Sequence, residues 1–179
     1  MSLRGERTGA ASLAPTSRFL MVILGTRPFA LDADAVQGLL TRDAAGGTDP
    51  VTVQGVTYDA VDLGGRLGLA IDAHSPETRI VLLTHGGRQG RIQVDRVRGL
   101  IEIEQSQVLP LPQQFHSEER NWYRGMILFE DDIALALNTE WVLQGAGLGH
   151  GRFSLEWQGS VPRLLGAQPG QTVGKVSKC

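Results

Sequence analysis

The residues of this 179-residue chain best suited to chemistry are four histidines and two runs of carboxylates: His74, His85, His116 and His150, with Glu118-Glu119 and Glu130-Asp131-Asp132. A metal centre wants at least two such ligands at a short fixed offset, so that one helix turn or one strand aims both at the same ion. No two of these histidines stand at such an offset, and all four fall in stretches that read as loops. The second acidic run sits between two apolar segments, where a hairpin must turn, and carboxylates at a turn are normally solvated. The one cysteine, Cys179, has no partner for a disulfide, and no serine stands in a Gly-x-Ser-x-Gly nucleophile motif. His85-Gly86-Gly87-Arg88 has the composition of an anion nest, yet neither a helix nor phosphate-loop spacing follows it, so a tight hairpin turn is the expected reading. Catalytic residues, metal and cofactor are therefore expected to be absent. A metal-dependent enzyme built on the histidines and loop carboxylates is the alternative from another class.

The elements that must carry any surface function are short. Twenty-three glycines and few aromatics suit many strands joined by tight turns and are poor material for long helices. A hydrophobic fraction of 41% supplies one core or two small ones, and 20% charged residues is ordinary for a soluble domain. The net charge of −2 and the mixing of Arg96 and Arg98 with Glu102 and Glu104 leave no basic stripe for nucleic acid. Phe19–Leu24 is too short to insert in a membrane, so a cytoplasmic protein is expected.

Along the chain, residues 1–17 read as a flexible tail. Phe19–Leu24, the turn Gly25-Thr26-Arg27 and Phe29–Leu31 form a hairpin signal. Asp32–Leu40 begins with a capping aspartate and reads as one or two helical turns passing into a strand, and residues 42–50 read as a loop. Val51–Leu63 alternates apolar and polar residues with a change of phase at Gln54-Gly55, which predicts a β-bulge. Gly64–Ala73 reads as turn and loop, Thr78–Thr84 as a buried strand, and Arg91–Val94 as its partner. Val97, Ile101 and Ile103 fall on the opposite parity, which predicts a second bulge or bend near Asp95-Arg96. Val108–Pro112 is extended, Gln113–Asn121 is a polar loop, and Tyr123–Phe129 with Ile133–Leu137 makes a further hairpin. Asn138–Gln144 opens with a capping residue and is the best helix. Phe153–Trp157 could add one strand, with Ser160–Cys179 loosely ordered. Two rounds of bent hairpins hint at an internal duplication.

The order of these segments resembles the CheW-like family of chemotaxis coupling proteins over about residues 18–144. The opening FLMVILGTRPFALDADAVQGLL is similar to the family's first hairpin and short helical turn, and VQGVTYDAVDLGGRLGL to the segment ending in Val-Asp-Leu. TRIVLL followed by IQVDRVRGLIEI resembles the central strand pair with its Val-Asp-x-Val, and WYRGMILFEDDIALALNTEWVL the closing hairpin and terminal helix. The resemblance implies a mostly β fold of two SH3-like five-stranded β-barrel subdomains with one short C-terminal helix. The expected organisation is a tail at 1–17, the two-barrel domain at 18–144 and an extension at 145–179.

The same resemblance implies a non-enzymatic adaptor, bridging the cytoplasmic tip of chemoreceptors to the regulatory domain of a CheA-type histidine kinase. It places Val36 and Leu100 at apolar positions lining a groove between the barrels, and Arg79 where an aliphatic residue is usual. Typical members carry arginine at the position of Gln54, in the tripeptide that includes Gly55, and often glutamate at the position of Gly38. Those two charges can pair across the first barrel, and both are absent here. Trp122 is a candidate interface anchor, since aromatics dominate hot spots. The expected partner-binding set is thus Val36, Gly38, Gln54, Gly55, Arg79, Leu100 and Trp122. The other reading from this resemblance is a diverged module that has lost receptor coupling and binds another protein or a small ligand.

Overall fold

The computed structural model describes residues 15–42, 49–144 and 146. The expected extra strand at 153–157, the tail up to residue 14 and most of the 42–50 loop lie outside these residues. Ten strands occupy the described chain: β1 (Thr16–Leu24), β2 (Arg27–Asp32), β3 (Val36–Thr41), β4 (Val51–Val53), β5 (Val56–Val61), β6 (Arg79–His85), β7 (Arg88–Val94), β8 (Arg96–Glu104), β9 (Tyr123–Phe129) and β10 (Asp132–Leu137). Three short helices accompany them: α1 (Leu63–Leu67), α2 (Glu119–Trp122) and α3 (Thr139–Leu143). β1 begins at Thr16, inside the stretch expected to be tail.

The strands form two five-stranded sheets, ordered β8-β1-β2-β10-β9 and β3-β6-β7-β5-β4. The pairing pattern is the same in both. From the first strand of each order, two antiparallel pairs are followed by one parallel pair, β2 with β10 and β5 with β7, and then by an antiparallel pair. The hint of duplication in the sequence thus has a counterpart in topology.

Each sheet curls around a core of its own, and the two share a third. Phe19, Met21, Ala30, Ile127, Ala134 and Ala136 fill the first sheet, with Ile101 and Ile103 from one end of the strand order and Phe129 from the other. Tyr58, Ile80 and Leu82 fill the second, with Leu40, Val51 and Val53. Between the sheets lie Leu20, Val22, Leu24, Phe29, Leu31, Val61, Val81, Leu83, Ile92, Val94 and Leu137, closed over by Val142 and Leu143 of α3. This explains the uninterrupted apolar runs. Successive strand residues point to opposite faces, and β1 and β6 are buried on both. Phe19 and Met21 face inward while Leu20, Val22 and Leu24 face the shared core; Ile80 and Leu82 are likewise opposed to Val81 and Leu83.

Several local expectations are corrected or sharpened, among them the polar loop at Gln113–Asn121, whose last part is the start of α2. Gln54 and Gly55 do not make a bulge. Both have positive φ, 51° and 81°, and Val53 pairs directly with Val56, so they are the two central residues of a tight hairpin turn between β4 and β5. The phase change in the sequence is the chain reversing. Gly64–Ala73 is not all loop, because α1 fills its first part, with Asp62 accepting from the Gly65 N–H at 2.8 Å and Gly68 ending it in the left-handed region at φ 65°. Two glycines lower the propensity of this helix, but a Cβ on Gly64 would stand 2.6 Å from Ile71 Cδ1, so close packing requires glycine there. The bend expected near Asp95-Arg96 is present, and the change of parity after Val94 has a second cause as well. At Asp95 the chain leaves the second sheet for the first; the bend is held by its N–H on the Ile23 carbonyl and by its carboxylate accepting from the Gly25 and Asp72 N–H groups at 2.6 Å. The bulge itself lies further on, within β8.

Candidate functional site

Two bulges in the terminal strands create the surface of interest. Along β3, Val36 pairs with Leu83 but Gly38 pairs with Leu82, leaving Gln37 as the extra residue. Along β8, Gly99 pairs with Met21 but Val97 pairs with Val22, leaving Arg98 as the extra residue; Gly99 has φ 142°. A regular strand would send residues three apart to opposite faces. The extra residue restores a common face, so Val36 and Leu39 both look toward the shared core, as do Val97 and Leu100. Val36 and Val97 pack half-buried against that core, and Leu39 and Leu100 stay 46% and 60% exposed.

The shared core therefore has an open apolar margin, bordered by the first strand in each sheet order. The ladder partners Leu20 of Leu100 and Leu83 of Val36 belong to one buried cluster. The margin is braced by a 3-10 turn, Ala33–Ala35, that leads into β3. Asp32 caps this turn by accepting from the Asp34 N–H, and Arg18 of β1 pairs with the Asp34 carboxylate at 2.6 Å. Asp32 also receives Arg124 of β9 at 3.0 Å. Both pairs are exposed, so they orient the turn more than they stabilise the fold.

The remaining sequence candidates fall around this margin unevenly. Arg79 lies opposite Thr41, on the same face as the Leu39–Val81 pair, and its guanidinium donates to the carbonyls of Pro76 and Thr78 at 2.7 and 2.9 Å. Gly38 lies on the other face of β3: a Cβ there would rest 3.7 Å from Leu82 Cδ1, toward the interior of the second sheet. Gln54 and Gly55 are exposed at the β4–β5 turn of that same sheet. The positions expected to carry a charge pair across the first barrel thus both belong to the second.

Trp122 is drawn into a stack of its own. Its ring lies 5.2 Å from that of Trp141 at 20°, and the Arg66 guanidinium sits 3.9 Å over the other ring, that of Trp141. Arg66 also donates to the carbonyls of Val142 and Trp141 at 2.8 and 3.0 Å, capping the end of α3. The stack joins α1, α2 and α3. Burial lowers the Arg66 pKa, which is consistent with its packed position. Beside the stack, burial first and the Glu119 charge second push the Tyr123 phenol up to about 12.

Sequence reasoning missed Leu39 and Arg66. Leu39 has the wrong parity relative to Val36 unless the bulge is known, and Arg66 stood in what read as a loop. Among the described residues no group of three or more His, Cys, Asp or Glu side chains could hold a metal ion, and no helix is long and apolar enough to cross a membrane.

Two curled β-sheets that share a core, with an apolar margin left open at Leu39 and Leu100, define the class of the fold as a two-sheet β scaffold. The model of the CheW-like domain family matches residues 18–146, and the chain belongs to that family. The fold is also similar to the crystal structure of the scaffolding protein TtCheW from Thermoanaerobacter tengcongensis, with a TM-score of 0.59 at 17% identity over 69% of this chain and 90% of that one. No curated protein matches the chain.

Proposed function

We propose that this protein is a cytoplasmic, non-enzymatic adaptor that couples the cytoplasmic tip of chemoreceptors to the regulatory domain of a CheA-type histidine kinase, through the two-barrel domain of residues 18–144. The observation that carries this reading is the open margin of the shared core, where one bulge in each sheet turns Val36 and Leu39 of β3, and Val97 and Leu100 of β8, toward that core. A partner helix or strand with an apolar face removes Leu39 and Leu100 from water, which is the driving force such a groove offers. Membership in the CheW-like family supports the same assignment. Arg79 borders the groove from β6 as a cation at its rim, where charge steers partner choice more than affinity.

The test is co-elution of the full chain with a cognate kinase regulatory domain and a receptor tip fragment. Complexes with both are expected. Absence of any kinase complex at about ten times a micromolar Kd would overturn the proposal. A second reading rests on Gly38 and Gln54, which leave the second sheet without the charge pair that resembling proteins carry. In that reading the groove serves another protein or a small ligand, and the observation that separates the two is receptor-tip binding, which only the first expects.

A further inference from the structure

The outer face of the β9–β10 hairpin carries a second apolar surface. Leu128 and Ile133 are directly opposed across the two strands and are 69% and 50% exposed. One step along, Met126 opposes Leu135, and Leu109 bridges to Met126 from the outer edge of β9 through two 2.8 Å backbone bonds. Opposed residues share a face, so Leu109, Met126, Leu128, Ile133 and Leu135 form one strip. At Leu135 the strip joins the packed core between the sheets, while at the hairpin tip it is bare.

The edge beyond the strip is open as well. β9 is the last strand in its sheet order, and among the described residues Leu109 covers it only at Met126. Antiparallel ladders alternate, so Leu128 aims its N–H and C=O the same way as Met126, outward from β10. The tip is acidic. Glu130, at φ 55°, is held by Arg98 through both carboxylate oxygens at 2.7 and 2.9 Å, with Asp131 and Asp132 following. Arg98 offsets the charge of Glu130, so Asp131 and Asp132 keep the tip acidic; that charge repels an anionic lipid surface, and with the apolar strip and the strand edge it favours an extended, basic-flanked peptide.

We infer that the β9 edge at Leu128, with Leu109 and Ile133 beside it and the Glu130–Asp132 turn at its end, is a second docking site that takes an extended protein segment of alternating apolar residues flanked by lysine or arginine. It adds to β9 as one more strand, with backbone bonds at Leu128 supplying affinity and the acidic turn selecting the flanking charge. The site includes neither Leu39 nor Leu100 and goes beyond the coupling role.

The probe is a nine-residue peptide, Lys-Lys-Val-Thr-Val-Thr-Val-Lys-Lys, titrated into the full isotope-labelled chain and followed by NMR, with a glutamate-flanked peptide as its counterpart. The expected result is saturable shifts at Leu128, Leu109 and Ile133, with the lysine peptide binding at least about tenfold more tightly than the glutamate peptide. The Leu128→Ser/Ile133→Ser variant, altered only at exposed positions, is expected to keep the melting temperature and lose the shifts, whereas Leu100→Ala keeps them. Equal affinity for both peptides, shifts confined to Leu39 and Leu100, or no shift at about 1 mM peptide each overturn the site. Self-association of the chain that the double serine variant abolishes also overturns it, because a second copy would then be the occupant.

Discussion

Removing the exposed apolar side chains of the groove separates binding from folding. Complete burial of a leucine side chain stabilises by about 1.5–3 kcal/mol. Leu100 is 60% exposed and Leu39 46%, so a partner that covers them gains about 1–2 and roughly 1 kcal/mol respectively. Leu39→Ala/Leu100→Ala is therefore expected to weaken partner binding by about 2 kcal/mol or more, which is about thirtyfold in Kd. The same change exposes no core atom of its own, and the stability of the free protein is expected to move by no more than about 1 kcal/mol. Leu20 is the contrast. It lies directly opposite Leu100 but is 6% exposed, and Leu20→Ala is expected to cost about 2–5 kcal/mol of stability. Titration calorimetry against the receptor tip and the kinase regulatory domain reads the affinities, and chemical denaturation reads the stabilities. Unchanged affinity of the double variant for both partners would refute the groove as the docking surface.

Gly90→Ala is expected to destabilise by about 1–3 kcal/mol in urea, because the new Cβ meets Leu143 Cδ2 at 2.6 Å and Val61 Cγ2 at 3.2 Å where α3 rests on β7; stability within about 0.5 kcal/mol of the parent would contradict that packing. Gln54→Asn is expected to raise stability by up to about 1 kcal/mol, since asparagine before glycine suits a turn with two positive φ angles, and a loss instead would contradict the turn assignment. The Tyr123 phenol is raised to about 12 from 10, so its neutral form contributes stability that is fully present below pH 10 and lost as pH rises toward about 12. Phenolate absorbance is expected to include a component near pH 12 that Tyr123→Phe removes; the same titration curve in both proteins above about pH 11 would contradict it.

The sequence alone determined a good deal. Runs such as Phe19–Leu24 and Ile80–Leu83 have no polar alternation, and at four to six residues between turn signals they suit strands buried on both faces. Gly86-Gly87 mark a reversal because glycine accepts positive φ, Glu130-Asp131-Asp132 mark another because charged residues between two apolar runs stay in water at a turn, and Asn138 marks a helix start because its side chain accepts from the Glu140 N–H. These signals are local, and each depends on residues that touch in sequence.

What tertiary structure alone decided is where a strand's parity breaks. Whether Gln54-Gly55 is a bulge or a turn, and whether Val36 faces with Leu39 and Val97 with Leu100, depends on which residue stands opposite in another strand. Here those partners are Val56, Leu83, Val81, Val22 and Leu20. The same holds for α1, where contacts with Ile71 and with the end of α3 outweigh the poor propensity of two glycines. Register is a relation between distant segments, so a one-residue slip that costs little locally moves every later side chain to the other face. The groove exists because two such slips occur in matching strands.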